Sequence, residues 1–265
     1  MYSILIEVIN VDREFPILEH HDKIPAVIEP SKVLKPIKGL PEKAILVFYG
    51  GVIEKLLEEN RLIHVQTLKS IVADFNIYKM KIKGEEIVVF NPGLGAPCAA
   101  GYFDELIAYG VKKTVAVGSA GVLDKNLKRG TIILVDSAVR HEGTSYHYLK
   151  PSREVKANED ILKDMEKTLK SLNAPYIKGK TWTTDAFYRE TEEMVKKRVN
   201  EGCLTVEMEA SALMAVAKFR NIPFGQILSA GDDVSGNEWD IRFHPETKNF
   251  REKIFWVAVD CLLNL

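Results

Sequence analysis

Cysteine is scarce in this chain of 265 residues: Cys98, Cys203 and Cys261 lie far apart among apolar or small neighbours. An odd, scattered set excludes a disulfide framework or a Cys-ligated zinc, and a reducing cytoplasm is the compartment expected for it. Charge of one sign is also lacking, with Lys+Arg 36 against Asp+Glu 37 and a formal net of -1. With no basic patch, neither nucleic acid nor a membrane surface is an expected partner. No run approaches the roughly 18 continuous apolar residues of a membrane span, and a basic-then-apolar leader layout is absent, so neither a span nor a signal peptide is expected. The six histidines include no metal-spaced pair on a helix; His20 and His21 fall in a Pro-rich stretch, and His141 and His147 read as loop. Neither a metal nor an organic cofactor is therefore expected. A P-loop is missing too, and Gly93-Leu94-Gly95 lacks the third glycine of a dinucleotide fingerprint. Internal repeats and low-complexity tracts are absent.

What is present is enough apolar residue, 46%, to bury one large core. Residues 1–43 carry Pro16, Pro25, Pro30, Pro36 and Pro41, a density that excludes long helices and predicts an extended arm packing across a subunit boundary or over the site. The body is expected over 44–265. Strands are predicted at Ala44 to Tyr49, Ile77 to Lys83, Ile87 to Phe90, Thr114 to Gly118, Thr131 to Val135, Ile177 to Thr181 and Phe224 to Leu228. Helices are predicted at Val52 to Asn60, Ala99 to Tyr109, Asn158 to Leu172, Thr191 to Asn200 and Pro245 to Leu263. This alternation predicts a single α/β domain with a mixed, mostly parallel sheet flanked by helices.

The densest chemistry lies in Val206-Glu207-Met208-Glu209-Ala210, where a strand hands over to a helix whose apolar positions Met208, Ala212, Leu213, Ala215, Val216 and Phe219 recur at helical spacing. Two carboxylates at the positive end of a helix dipole are either simple dipole complements or acceptors for a sugar's vicinal hydroxyls. In open α/β sheets the segments after strand ends gather into one crevice. Here those segments are Gly50-Gly51, Asn91 to Gly95, Gly118-Ser119-Ala120-Gly121 and Gly231-Asp232-Asp233. Glycine there lets backbone amides approach a ligand, and Ser119 adds a hydroxyl.

The order Gly118-Ser119-Ala120-Gly121, Val139 to Tyr148, Thr184-Asp185-Ala186-Phe187-Tyr188 and Val206-Glu207-Met208-Glu209-Ala210 resembles the nucleoside phosphorylase superfamily, nearest its uridine-phosphorylase-like members, over roughly residues 44 to 263. The resemblance implies a sheet closing into a distorted barrel and a homo-oligomer, dimer or hexamer. It implies cleavage of a nucleoside's N-glycosidic bond, with inorganic phosphate as a possible co-substrate. Carried over by position, Glu209 accepts the ribose hydroxyls, Met208 packs on the sugar, and Glu207 supports the network. Phe187 stacks on the base, and Ala120 and Gly121 line its pocket. Asp232 falls where purine-cleaving members keep an acid for purine N7, and Asp233 is expected to raise its pKa by like-charge repulsion. The Gln and Arg with which uridine-specific members hold a pyrimidine are missing between Arg189 and Leu204, where no glutamine occurs.

The resemblance also implies phosphate-binding arginines at positions that here hold Val52, Ala73 and Ala116. Without them most of the charge that holds a dianion is gone, unless Arg140 or Lys79 reaches it. Hydrolytic nucleosidases of the superfamily lack those arginines and activate water with a glutamate after the first strand, where Glu54 stands; an exposed helix acid is the other reading of Glu54. Phosphorolysis to base and ribose 1-phosphate is the first expectation. A hydrolytic nucleosidase is the alternative, followed by a non-catalytic nucleoside-binding protein and, last, a sugar-phosphate enzyme.

Overall fold

The computed structural model describes residues 15–20, 24–242 and 247–265. Ten strands form one sheet: β1 Lys43–Val47, β2 Ile63–Lys69, β3 Asp74–Ile82, β4 Glu85–Phe90, β5 Lys113–Val122, β6 Ile132–His141, β7 Glu154–Lys156, β8 Tyr176–Thr184, β9 Cys203–Glu207 and β10 Phe224–Asp233. Nine of them run in the order β10-β6-β8-β9-β5-β1-β4-β3-β2, β7 pairs with β6 off that path, and a further pairing of β10 with β5 closes a five-stranded barrel. Three of its ladders, β5/β10, β6/β8 and β8/β9, are parallel, while β10/β6 and β9/β5 are antiparallel. The mixed sheet and distorted barrel expected from the resemblance are therefore what the chain forms. Outside the barrel, β1 joins β5 and β4 in parallel, and β4, β3 and β2 continue as an antiparallel meander.

β1 shows why helices cover both faces. Ala44 and Leu46 enter one apolar cluster, Ile45 and Val47 the other, and all are fully buried. The first cluster packs under the Ala96–Tyr109 and Ala210–Arg220 helices, the second under the Gly50–Glu58, Glu159–Ser171 and Thr247–Leu263 helices. Alanine makes the Ala210–Arg220 helix thin enough to be buried from Ala210 through Ala217, and Asn221 ends it in the left-handed conformation at φ 54°. Asn158 caps the Glu159–Ser171 helix, its side-chain oxygen accepting from Asp160 N and Ile161 N.

Three sequence expectations need correction. The segments Gly118 to Gly121 and Gly231 to Asp233 are strand, the ends of β5 and β10. Gly121 and Gly231 serve close approach there: a Cβ would stand 3.1 Å from Val206 Cγ1 and 3.0 Å from the Ala120 carbonyl oxygen respectively. β2 was not foreseen, because an edge strand with only Leu68 buried shows weak apolar alternation. His141 is not loop but the last residue of β6, where Nδ1 meets the indole N–H of buried Trp182 at 3.2 Å. Among the described residues of the arm, the longest helix is the single turn Pro30–Val33. Buried Glu29 ties that part to the chain's own body, since Arg220 donates to it at 3.0 Å and to Asp104 at 2.6 and 2.8 Å. No described helix is long and apolar enough to cross a membrane.

Candidate active site

Glu207 closes β9 and turns its carboxylate over the start of the next helix. One oxygen accepts from the Glu209 and Ala210 amides at 2.8 and 2.6 Å, and the other from Thr183 Oγ1 at 2.7 Å. It is the cap that the helix start requires. Burial pushes the Glu207 carboxyl upward, and the charge of Glu209 adds to this; the bonds from Thr183 and the two amides oppose it. Glu209 is shifted upward too, chiefly by burial, against the pull of the Gly95 and Met208 backbone bonds. At both acids burial is the largest influence and the hydrogen bonds work against it.

Glu209 reaches the chain between β4 and the next helix, where the Gly95 N–H donates to its Oε1 at 2.6 Å. That donor is aimed by a short turn. Asn91 Oδ1 accepts from Gly93 N at 2.9 Å, and both Gly93 and Gly95 sit at φ 85°. At Gly93 a Cβ would come within 2.5 Å of Cys98 Sγ and 2.9 Å of the Phe75 ring. A second polar layer backs the first. Ser211 N donates to Thr183 Oγ1 at 3.0 Å, Ser211 Oγ to Glu142 at 2.8 Å, and Ser145 N to the other Glu142 oxygen at 2.8 Å. Arg140 ends this chain, donating to Ser145 Oγ, Ser152 Oγ and the carbonyls of Leu149 and Lys150. Arg140 is buried, makes these four bonds and does not line the cavity beside Glu209, contrary to the sequence expectation that it reaches a phosphate. Lys79 does not either: it pairs with Glu86 across the β3/β4 ladder at 3.0 Å.

A cavity of about 650 Å³ opens beside Glu209 and brings together Gly50, Glu54, Ser119 and Glu209, four of the residues singled out in the sequence. Asp74, Phe75 and Tyr78 of β3 also line it, and these sequence reasoning missed. Its carboxylates are Glu54, Asp74 and Glu209, and no lysine or arginine is among its described lining residues. Val52 and Ala116 are core, and Ala73 lies in the β2–β3 turn. Beneath Ser119, the Tyr49 hydroxyl donates to the Gly118 carbonyl at 2.7 Å and meets Ser229 Oγ at 2.8 Å, which in turn lies 3.3 Å from Ser119 Oγ.

The remaining residues do not line that cavity; they lie at or just past the ends of the barrel strands β5, β8, β9 and β10, which form a rim. Met208 is half-buried, Ala120 is buried, and Gly121 is fixed where β5 meets β9. Phe187 is 48% exposed and leans on Tyr188 at 4.2 Å between ring centroids, so it is not core. Asp232 accepts from the Trp239 indole N–H at 2.7 Å. Asp233 is itself taken up by other partners. Burial raises its pKa, but Ser235 and the Arg242 guanidinium outweigh this and hold it below the usual carboxylate range. Glu190, two residues past Tyr188, lies close enough to feel Asp232: burial and then the Asp232 charge push its carboxyl up to about 7. Neither Trp239 nor Glu190 carries a sequence signal; only the fold brings them to Asp232. The described residues hold no group of three or more His, Cys, Asp or Glu suited to a metal.

The chain resembles known proteins in sequence and fold. The model of the phosphorylase superfamily fits residues 42–261. A purine nucleoside phosphorylase of Shewanella oneidensis is 30% identical over 177 residues, 66% of this chain and 75% of that protein. A guanosine phosphorylase of Halorubrum lacusprofundi is 26% identical over 166 residues, 62% of this chain and 69% of that one. The crystal structure of uridine phosphorylase from Vibrio fischeri superposes with a TM-score of 0.72 at 23% identity, covering 87% of this chain and 94% of that one, a likeness of fold. The chain belongs to the phosphorylase superfamily, and with it to the pentosyltransferase enzymes.

Proposed function

We propose that this enzyme cleaves purine nucleosides by phosphorolysis, giving the free base and ribose 1-phosphate. The observation that carries the reading is Glu209, a buried carboxylate held by the Gly95 amide at the wall of a cavity it shares with Gly50 and Ser119. Departure of the base leaves a ribosyl centre with oxocarbenium character. A fixed carboxylate that binds the ribose hydroxyls stabilises that charge as it grows. Asp232, held by Trp239, supplies the proton that lets a purine leave as a neutral base. The purine choice is supported by that acid, by the missing glutamine between Arg189 and Leu204, and by the purine nucleoside phosphorylases among the relatives.

Hydrolysis is the second reading, and one observation favours it: Glu54, Asp74 and Glu209 line the cavity without a cation. In that reading Glu54 activates water. Product chromatography after incubation with adenosine, inosine, guanosine, uridine and thymidine, each with and without phosphate, separates the two. Ribose 1-phosphate formed only with phosphate, from the purine nucleosides, is the expected outcome. Free ribose at the same rate without phosphate overturns it in favour of hydrolysis.

A further inference from the structure

A phosphate dianion in this cavity needs a positive charge that neither the cavity wall nor the positions of Val52, Ala73 and Ala116 provide. The closing helix carries one. Lys43, at the start of β1, donates to the Leu263 carbonyl at 2.7 Å, so the last turn of the Thr247–Leu263 helix lies at the beginning of that strand. Its first turns therefore lie over the far end of β1, beside Tyr49 and Gly50, where the cavity opens. Arg251 precedes buried Ile254, Phe255 and Ala258 at the spacing that puts all four on one helix face, and it is the exposed end of that face. Its guanidinium stands 5.7 Å from the centroid of the Tyr49 ring. The hydroxyl of the same tyrosine reaches Ser229, whose Oγ is 3.3 Å from Ser119 Oγ. The neighbouring acid Glu252 is already bound to Lys55 at 2.6 Å.

We propose that Arg251 is the phosphate-binding cation of this enzyme, moving from the Tyr49 ring across Gly50 to a dianion that also meets the Ser119 hydroxyl. The proposal rests on the phosphorolytic reading. Its charge offsets the carboxylates Glu54 and Asp74 on the same cavity and orients a phosphate oxygen toward the sugar. That oxygen's electron pair forms the C1′–O bond as the C1′–N bond breaks. The pair of the broken bond goes to the base, which is protonated by way of Asp232. Arg251 forms no covalent bond and gives up no proton.

The test is steady-state kinetics on the full chain with inosine, varying inorganic phosphate, for wild type, Arg251→Ala, Arg251→Gln and Arg251→Lys. Arg251→Ala and Arg251→Gln are expected to raise the KM for phosphate about tenfold or more, Arg251→Lys less, with the KM for inosine within about twofold of wild type. Arg251→Gln keeps the side chain's length and guards against a packing defect, and thermal melting verifies that each variant is folded. An unchanged phosphate KM in folded Arg251→Gln, with wild type still requiring phosphate, overturns the assignment alone. A wild-type enzyme indifferent to phosphate overturns the phosphorolytic reading and the assignment with it.

Discussion

The two ends of the candidate site are built in opposite ways. At the Glu207–Glu209 end the acids are buried, and bonds from Thr183, Gly95, Glu209 and Ala210 hold them, with Ser211, Glu142, Ser145 and Arg140 behind. At the rim Tyr188 is 88% exposed and Trp239 66%, and Asp232 has one indole donor. The buried end is preorganised: its geometry is set before a ligand arrives, the arrangement that favours a developing charge. The rim has little packing to hold it, and its aromatic surface is free to meet a ligand.

Cutting into each end should expose this contrast. The largest effect is expected for Glu209→Gln, a fall in kcat/KM of roughly 10²–10³ with the fold intact, measured with inosine and phosphate. Next comes Gly93→Ala, which combines a left-handed backbone with contacts on Cys98 and Phe75 and should lower stability by roughly 2–4 kcal/mol in urea unfolding. Thr183→Val removes the donor to Glu207 and the acceptor for Ser211 N, leaving buried polar groups unpaired; a loss of roughly 1–3 kcal/mol is expected. A cut of similar size at the rim, Phe187→Ala, should change stability by no more than about 0.5 kcal/mol. A destabilisation by Phe187→Ala as large as that by Thr183→Val would erase the distinction.

The rim also carries a pH signature. Glu190 is raised from 4.5 to about 7, so the folded chain binds its proton more tightly than the unfolded chain. The stability this gives is full below pH 4.5 and is lost as pH rises through about 7. Melting curves of wild type should therefore fall relative to Glu190→Gln across that window and run parallel above it. Parallel curves throughout would contradict the burial of Glu190 and, with it, its raised pKa.

The difference between the two ends also governs what was legible in the sequence. Glu207, Met208 and Glu209 were readable because strand, cap and helix follow one another along the chain, and Asn158 was readable for the same reason. The Lys83-Gly84 turn between β3 and β4 announced itself through Gly84, which accepts a positive φ. Gly118 to Gly121 misled, because glycine signals a turn locally, whereas here it admits Val206 and β10 against a strand. At the rim every informative pair is distant in sequence or set by the fold: Arg242 claims Asp233, Trp239 claims Asp232, and Arg251 stands over Tyr49. Arg140 was a free cation on paper and a buried hub in the fold.

The most direct test of the account is whether Glu209 reads the ribose hydroxyls. The measurement is kcat/KM for inosine against 2′,3′-dideoxyinosine, in wild type and in Glu209→Gln. Wild type should prefer inosine by about 10²-fold or more, and the variant should lose most of that preference, because the carboxylate that accepts both hydroxyls is gone. A Glu209→Gln enzyme that keeps the full wild-type preference would contradict the account, since the preorganised end would then serve the fold and not the sugar.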